Sequence, residues 1–458
     1  MKNIVYILTI FCSIQFSPIW AQIDWIKQAG DTQRGDNGFS VAIDSKGNIY
    51  STGNFSGTAN FGKDIVVSSS FDSDCYLAKS DKDGNFLWVK TIGGKWGQTG
   101  NCVVVDNEDN IVLTGGAGLT TIIENIEYEN NRGGGIFLVK YNTNGDLLWH
   151  KLYQDKSFAD SQTLTTDKEN NIVFSGRFEN IDFDDNLLTS NGQVDIFLTK
   201  LNKDGDFLWT RNIGGNDDDS PSAVLIDSKG EIVLSGEIRN QITIDDKTIV
   251  ANEYDDVFVS KFSKSGKLIW IKSFGGGHFD RVWDMAIDNL DNIYVTGDFI
   301  DSIYVEGKII LPEPNCHSNA YLIKYSSDSK LVWFKKFKST GSNLGQSVTI
   351  DSKGNCYLAG YFYDDIKIGK YLLENTLQEG KGFIAKINKR GKINKAFMLP
   401  GEGMTEIWEM RYSQIDNKLV GLGRFSKRII FSSNLALETE NDNDILLLKI
   451  NTKMKKSR

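Results

Sequence analysis

Residues 74–94 read DCYLAKSDKDGNFLWVKTIGG, and variants of this phrase recur along the chain. Its beginning, DCYLAK, is a short run of apolar and aromatic residues, which predicts a β-strand. The turn formers Asp81 to Gly84 come next, and FLWVKT then predicts a second strand. The phrase therefore predicts an antiparallel hairpin.

The tryptophan of this phrase marks a repeat. It recurs with spacings of 60 to 63 residues, at Trp25, Trp88, Trp149, Trp209, Trp270 and Trp333. A seventh, degenerate copy reads GKINKAF, where Lys395 takes the place of the tryptophan. Such a period is typical of propellers and other repeat architectures.

Two further residue types recur in step with the tryptophan. An aspartate ends a short apolar run and begins a turn at positions 44, 106, 167, 227, 288, 351 and 416. A lysine ends an alternating strand at positions 79, 140, 200, 261, 324, 386 and 449. Seven copies of each marker at one period indicate one unit written seven times.

One repeat holds four predicted strands. Residues 40–44 form the first, and a turn in which Gly47 or Asn48 adopts a positive φ leads to the second, at 49–55. A longer connection leads to the hairpin of residues 74–80 and 86–91. Four antiparallel strands per repeat are typical of a propeller blade.

The two ends of the repeat array complement each other. The phrase at residues 24–27 is a fourth strand without a blade before it, and residues 445–450 form a third strand with no fourth strand after it. Pairing the two hides two exposed sheet edges. The sequence thus predicts an all-β, seven-bladed β-propeller with four antiparallel strands per blade, whose last blade is closed by the N-terminal strand.

The repeat resembles the SBBP β-propeller repeat family of exported bacterial proteins. The resemblance rests on the phrases DSKGNIYSTG, NFSGTANFG and DCYLAKSDKDGNFLWVKTIGG, and it weakens after about residue 390. It implies a propeller, and it implies no reaction, because no set of catalytic residues defines that repeat.

The N-terminus predicts export. Lys2 precedes the short apolar run Ile4–Phe11, and Ala21 precedes a plausible cleavage site, so residues 1–21 are predicted to be a signal peptide. Ile10 and Phe11 precede Cys12 where a lipoprotein signal would have small residues, which favours simple export. We expect the propeller to occupy residues 22–452, followed by a basic tail at 453–458, in a periplasmic, surface-associated or extracellular protein.

Composition narrows the partners and cofactors. The net charge of −9 argues against nucleic acid, and no later segment is apolar enough to span a membrane. Cys75, Cys102, Cys316 and Cys356 contain no CxxC pair, and only a Cys316–Cys356 bridge is conceivable. We therefore expect a monomer with no cofactor and no metal.

The candidate site lies in the loops that lead into each first strand, on the face of the long loops. These loops vary where the repeat is otherwise regular. The binding candidates are Trp96, Asp219, His278, Asp280, Arg281, Trp283, Glu406, Trp408 and Arg411. The same loops also contain Arg34, Asp36, Gln98, Asp155, Lys156, Asp217, Asp218, Asn343, Gln346 and Glu402.

No catalytic motif accompanies these residues. The chain has three histidines, and it lacks GxSxG, HExxH, GxxxxGK and GxGxxG contexts. The leading hypothesis is therefore an exported, non-enzymatic propeller that binds a protein or a glycan on its long-loop face. Two alternatives remain: a carbohydrate-active enzyme, either a glycoside hydrolase or a lyase, with acidic residues at the channel mouth, and a structural component of the cell envelope.

Overall fold

A computed structural model describes most of the chain. It covers residues 23–30, 35–62, 64–130, 134–154, 158–314, 316–377, 379–432, 434–439 and 443–453. The predicted signal peptide and most of the basic tail, residues 454–458, lie outside these ranges. Every described regular element is a β-strand, and none of the described residues forms a helix long and apolar enough to cross a membrane.

The strands follow one another in hairpins throughout. In chain order they are β1 (Ile23–Ala29), β2 (Asn37–Ile43), β3 (Ile49–Asn60), β4 (Val66–Ser80), β5 (Phe86–Ile92), β6 (Thr99–Val105), β7 (Ile111–Ala117), β8 (Thr120–Ile123), β9 (Ile126–Glu129), β10 (Gly135–Tyr141), β11 (Leu147–Gln154), β12 (Ala159–Thr166), β13 (Ile172–Phe178), β14 (Asn180–Asp182), β15 (Leu187–Thr189), β16 (Asp195–Leu201), β17 (Phe207–Ile213), β18 (Ser220–Ile226), β19 (Ile232–Ile244) and β20 (Lys247–Phe262). They continue as β21 (Leu268–Gly276), β22 (Asp280–Ile287), β23 (Ile293–Phe299), β24 (Ile303–Val305), β25 (Lys308–Ile310), β26 (Asn319–Tyr325), β27 (Leu331–Lys336), β28 (Lys338–Ser339), β29 (Asn343–Ile350), β30 (Cys356–Phe362), β31 (Ile366–Ile368), β32 (Tyr371–Leu373), β33 (Lys381–Ile387), β34 (Ile393–Met398), β35 (Thr405–Ser413), β36 (Lys418–Phe425), β37 (Arg428–Ser432), β38 (Leu435–Glu438) and β39 (Asp444–Asn451).

The described strands build seven four-stranded antiparallel units, called sheets 1 to 7 below. In strand order they are β2–β3–β4–β5, β6–β7–β10–β11, β12–β13–β16–β17, β18–β19–β20–β21, β22–β23–β26–β27, β29–β30–β33–β34 and β35–β36–β39–β1. The hairpin β24–β25 extends sheet 4. Sheet 7 takes its fourth strand from the beginning of the chain, because β1 pairs antiparallel with β39 from Ile23↔Ile450 to Ala29↔Ile445.

The repeated aspartate fixes the turn between the first and second strands. Asp44 Oδ1 accepts the backbone N–H groups of Lys46 and Asn48, at 2.9 and 2.8 Å. This is the side-chain-to-backbone bonding by which Asp favours turns. Gly47 has φ +84°, so the positive φ falls on the glycine and not on Asn48.

The repeated lysine returns to this aspartate from the third strand of the same sheet. The distance from Nζ to the carboxylate is 2.8 Å for Lys140 and Asp106, and both side chains are nearly inaccessible to water. Direct pairs of the same kind are Lys200–Asp167, Lys261–Asp227, Lys324–Asp288 and Lys449–Asp416. In these five sheets the two sequence markers form one ion pair that joins the first turn to the third strand, whereas Lys79 and Lys386 donate to the backbone at Thr143 O and Thr452 O.

The repeated tryptophan joins neighbouring sheets. Trp25 of sheet 7 donates its indole N–H to Lys82 O, in the last turn of sheet 1, at 3.3 Å. Its ring lies against Gly84, where an added Cβ would come within 2.8 Å of the indole. Equivalent bonds are Trp149 to Lys203 O, Trp209 to Lys264 O and Trp333 to Lys389 O. The predicted packing role between repeats is confirmed for these tryptophans.

Apolar side chains fill every gap between consecutive sheets. The described residues contain seven buried clusters, each built from two neighbouring sheets. One of them joins sheet 7 to sheet 1, with Val420, Leu422 and Leu447 packed against Val41 and Phe55. Buried area of this kind dominates stability. The four cysteines among the described residues are free, so the conceivable bridge between Cys316 and Cys356 is not formed.

Candidate functional site

The first strands of the seven sheets surround one cavity of about 910 Å³. Each first strand contacts the first strand of the next sheet, in the order β2, β6, β12, β18, β22, β29, β35, and β35 contacts β2. The cavity is lined by residues of all seven strands. Its volume is within the range of about 300–1,000 Å³ that small-molecule sites occupy.

Each first strand carries a β-bulge at the same point of its ladder. One residue is skipped in the pairing with the second strand, as in β2, where the register shifts between Gly38 and Ser40. The seven skipped residues are Phe39, Asn101, Gln162, Ser222, Trp283, Gln346 and Trp408. All seven line the cavity, and we call this set the bulge ring. Bulges re-aim side chains and are frequent beside functional sites.

The bulge ring varies where the rest of the repeat is regular. Three members are aromatic, three are amides and one is a serine. In sheet order, Asn101, Gln162 and Ser222 form a polar arc. The remaining four positions, from sheet 5 round to sheet 1, contain the three aromatic residues and Gln346. The seven copies of one motif therefore present two chemically different halves to the cavity.

The residues that follow the bulges link neighbouring first strands. Ser40 Oγ accepts the N–H of Val103 at 3.0 Å, and Thr163 Oγ1 accepts the N–H of Val224 at 3.1 Å. The same link runs from Val348 N to Asp284 Oδ2, from Met410 N to Ser347 Oγ and from Val41 N to Glu409 Oε2. The last of these bonds joins sheet 7 to sheet 1. These bonds position the bulges relative to one another.

A different hydrogen bond joins sheet 4 to sheet 5. The residue after the bulge in sheet 4 is Ala223, which has no polar side-chain atom, and Glu237 of β19 accepts the N–H of Val282 instead, at 2.9 Å. Burial raises the pKa of Glu237 to about 8, with further increases from Asp255 and Asp298. Glu237 also lines the cavity. At neutral pH this carboxyl group is therefore mostly protonated.

A guanidinium joins two cavity carboxylates. Arg411 Nη1 lies 3.3 Å from Asp284 Oδ2, and Nη2 forms an ion pair with Glu409. Burial lowers the pKa of Arg411, but Glu409 and Asp284 outweigh that effect and raise it. The predicted residue Arg411 thus lines the cavity and holds two sheets together.

Trp283 presents a fixed indole to the cavity. The residue is 36% exposed, and Nε1 donates to Asp298 Oδ1 at 2.7 Å. Burial raises the pKa of Asp298 to about 6, while Trp283 and Arg281 act in the opposite direction. Arg281 is also exposed at the cavity, with Nη1 3.9 Å from Asp298 Oδ2. The structure brings these two predicted residues together.

Trp408 and Gln346 are the neighbouring bulges of sheets 7 and 6. The guanidinium of Arg424 lies over the Trp408 ring at 5.6 Å, and Phe39 meets the same ring edge-on at 5.8 Å. Gln346 is 4% exposed and donates to Glu406. Trp408 Nε1 and Gln346 Oε1 are both buried and have no hydrogen-bond partner among the described residues. An unpaired buried polar atom calls for an explanation.

Three predicted acidic residues serve the scaffold. Asp219 accepts the N–H groups of Gly215 and Arg239, at 2.9 and 3.0 Å. Asp280 accepts the N–H of Gly276 at 2.6 Å, and Glu406 accepts from Arg424 Nε at 2.9 Å. All three side chains are buried, and they are not among the described residues that line the cavity.

Asp36, Gln98 and Asn343 hold their own loops in place through hydrogen bonds to the backbone, as Asp219 does. Asp36 accepts the N–H of Ser56, and Asn343 accepts that of Ala320, while Gln98 donates to Thr120 O. Buried polar groups with backbone partners hold loops in place.

Trp96 and His278 lie outside the cavity. Trp96 is 63% exposed, in the loop between β5 and β6, with φ +69°. His278 stacks on Tyr254, with ring centroids 5.2 Å apart. Neither is among the described residues that line the cavity. Arg34, Asp155 and Lys156 lie outside the described residues.

Four residues of the bulge ring were not predicted from the sequence: Phe39, Asn101, Gln162 and Ser222. A usable signal exists, because the bulge falls five residues before the repeated aspartate in sheets 1 to 6. In sheet 7, Trp408 lies eight residues before Asp416. No group of three or more potential metal ligands of the His, Cys, Asp or Glu type is found in the described part of the chain.

Comparison with known proteins bears on the repeat. Residues 24–61 match the SBBP family model, which is described as a beta-propeller repeat. An uncharacterised WD repeat-containing protein of Acanthamoeba polyphaga mimivirus is 24% identical over 310 residues, which are 62% of this chain and 19% of that protein. The chain thus spans about a fifth of the length of this curated relative.

Solved structures with a similar course of the chain have low sequence identity. Sqt1 from Chaetomium thermophilum is similar over 93% of this chain and 99% of its own, with a TM-score of 0.46 and 9% identity. A puromycin hydrolase is similar over 90% of this chain and 54% of its own, with a TM-score of 0.47 and 8% identity.

Proposed function

We propose that this β-propeller repeat protein is an exported, non-enzymatic binding module, folded as a closed ring of seven blades. Residues 22–452 form the ring, and β1 completes the last blade. The partner, a protein or a glycan, binds on the long-loop face at the mouth of the central cavity. The module acts as a monomer at the cell envelope or outside the cell.

Three observations support the closed ring. The order of first-strand contacts returns to its start, because β35 contacts β2. The cluster between sheets 7 and 1 is built like the other six. The pairing of β1 with β39 and the bond from Trp25 to Lys82 O bind the two ends of the chain to their neighbours. Closure also removes the exposed edges that invite aggregation.

The bulge ring is the observation that carries the binding function. Seven equivalent positions face one cavity, and the residue type at these positions differs from repeat to repeat. Fold does not determine function, which depends on sites placed on the fold. A repeated scaffold with a non-repeating inner ring is therefore best explained as support for one asymmetric site.

Of the five acidic side chains among the described residues that line the cavity, four are paired with arginine and Glu237 is the exception, which favours binding over catalysis. Asp160 pairs with Arg177 at 2.7 Å, and Asp255 pairs with Arg239 at 2.7 Å. Asp284 and Glu409 share Arg411. A glycosidase needs two carboxyl groups free to act on the substrate. A carbohydrate-active enzyme remains the second hypothesis, and the appearance of new reducing ends in any glycan that binds tests it.

Export has its own test. The N-terminal sequence of the protein secreted by cells that express the full chain is expected to start at Gln22. Recovery of an intact Met1 terminus, or of the chain in the cytoplasm alone, would remove export from the proposal.

Binding is tested by screening the full chain on a glycan array and by pull-down from cell-surface extracts. The Trp283→Ala and Trp408→Ala variants are expected to lose the captured partner. The matched control Trp96→Ala replaces an equally large aromatic residue outside the cavity and is expected to retain it. A partner that all three variants bind equally contradicts a site at the cavity mouth.

A further inference from the structure

We infer that the bulge ring binds a neutral carbohydrate, with one sugar ring packed on the indole of Trp283. The inference rests on the proposed binding function and specifies its ligand. A sugar ring offers two kinds of surface, a face of C–H groups and a rim of hydroxyl groups. The two halves of the bulge ring offer the matching partners, aromatic rings and neutral hydrogen-bonding groups.

Trp283 provides the platform. It is more than one-third exposed at the cavity, and its Nε1–Asp298 bond of 2.7 Å holds the indole in one orientation. Asp298 is itself 0% exposed, so the anchor of this bond belongs to the rigid sheet. An aromatic ring that is already fixed loses little conformational entropy when a ligand packs on it. The loop residue Trp96 has no such hydrogen bond to another described residue.

The hydroxyl partners are built into the same ring of residues. Gln346 is 96% removed from solvent yet leaves Oε1 without a partner among the described residues, and Trp408 Nε1, on the bulge of the neighbouring sheet, is also buried without one. One is an acceptor and the other a donor. A hydroxyl group both donates and accepts, so a sugar hydroxyl suits either atom. Asn101, Gln162 and Ser222 extend the neutral polar lining on the opposite side.

The charged groups that line the cavity are already engaged with groups of opposite sign, which favours a neutral ligand. Asp160 and Asp255 each have an arginine, and Arg411 serves Asp284 and Glu409. Arg281 lies 3.9 Å from Asp298. The pKa of Glu237 is raised to about 8 by burial, which leaves that carboxyl group largely uncharged at pH 7. A charged ligand would have to compete for groups that are already paired, at a cost in desolvation.

Size separates a carbohydrate from a protein partner. The bulge ring faces inward onto a cavity of about 910 Å³, the size of a small-molecule site. A folded protein needs roughly 800 Å² on each partner for a stable interface. The end of an oligosaccharide chain can enter a cavity that a folded surface cannot.

Calorimetric titration of the full chain tests this inference. The probes are cellopentaose, xylopentaose, mannopentaose, maltopentaose and chitopentaose as neutral ligands, with pentagalacturonate as the charged one. At least one neutral probe is expected to bind with one site per chain. Trp283→Ala is expected to weaken it at least tenfold, which corresponds to about 1.4 kcal/mol, and Trp96→Ala is expected to leave it unchanged.

A second variant guards against misfolding of Trp283→Ala. Arg281→Gln changes a half-exposed side chain at the same cavity, so its fold is expected to be intact, and it should weaken the same neutral probe several-fold. Binding of pentagalacturonate alone, or loss of binding in Trp96→Ala and not in Trp283→Ala, overturns the carbohydrate inference.

Failure of the inference can be told apart from failure of the proposed function. If no probe binds, but a cell-surface protein is captured by the full chain and released by Arg281→Gln, the carbohydrate assignment is wrong and the binding module stands. If no probe binds and no capture depends on a cavity residue, both are wrong.

Discussion

Trp283 Nε1 donates a hydrogen bond to Asp298 Oδ1 across 2.7 Å, and this bond ties the bulge of β22 to the neighbouring strand β23. The acceptor carboxylate is fully buried, whereas the donor's ring faces the cavity. The bond thus connects the core of sheet 5 with the surface that we assign to the ligand. It makes Trp283 the best-anchored aromatic residue of the bulge ring.

The environment of Trp283 should respond to pH. Burial raises the pKa of Asp298 to about 6, so the charge-assisted bond to Trp283 is present above that pH and becomes a weaker neutral bond below it. Tryptophan emission of the wild type, corrected by that of Trp283→Phe, is expected to change with a midpoint near pH 6. Asp298→Asn should abolish the transition. The same midpoint in Asp298→Asn would show that another group titrates.

The buried pair of Lys140 and Asp106 should be essential for stability. Replacing Lys140 by Met leaves Asp106 buried without its counter-charge, and breaking such a pair costs about 3–5 kcal/mol. Urea unfolding is expected to show a loss of this size. The exposed pair Lys330–Asp328 supplies the control, because Lys330→Met should leave the midpoint unchanged. Equal effects of the two substitutions would contradict the role given to the repeated pair.

Glu237 should lower the free energy of unfolding as the pH rises from about 4.5 to about 8. Its folded pKa of about 8 lies above the unfolded value of 4.5, since burial disfavours the charged form. The proton-linked stability is therefore complete below about pH 4.5 and is lost as pH rises through about 8. Glu237→Gln retains an acceptor for Val282 N–H and cannot ionise. Thermal unfolding should find it more stable than the wild type at pH 9 and similar at pH 4.5, and parallel profiles would refute the shift.

Closure by the N-terminal strand predicts the effect of a truncation. Deleting residues 1–29 removes β1 and exposes the edge of β39, together with the apolar side chains that Ile26 covers. The truncated chain is expected to aggregate or to lose its single cooperative unfolding transition. Deletion of residues 1–21 alone should leave that transition intact. Identical calorimetric scans for the two truncations would mean that β1 does not complete sheet 7.

The scaffold could be read from the sequence because each repeated residue has one repeated structural task. Tryptophan, aspartate and lysine recur because most turns and boundaries between sheets use the same bond, as Trp25 and Lys82 or Lys140 and Asp106 show. The pairing of β1 with β39 could also be predicted from the period, because it covers two strand edges that would otherwise be exposed.

The site could be predicted only in part, because its residues depend on what they contact in the cavity and do not follow the repeat. Trp283, Trp408, Arg281 and Arg411 were found as departures from the repeat, and they do line the cavity. Asp219 looked like the same kind of departure, yet its carboxylate binds loop N–H groups. Sequence cannot tell these cases apart, since the direction of a side chain beside a bulge depends on the register of the strand pair.

Mass spectrometry of tryptophan oxidation tests the central claim, that the bulge ring is the binding site, most directly. The full chain is treated with N-bromosuccinimide with and without the neutral pentasaccharide that binds most tightly. The account predicts slower oxidation of Trp283 when the sugar is bound, and an unchanged rate at Trp96. Protection of Trp96 with undiminished oxidation of Trp283 would contradict it.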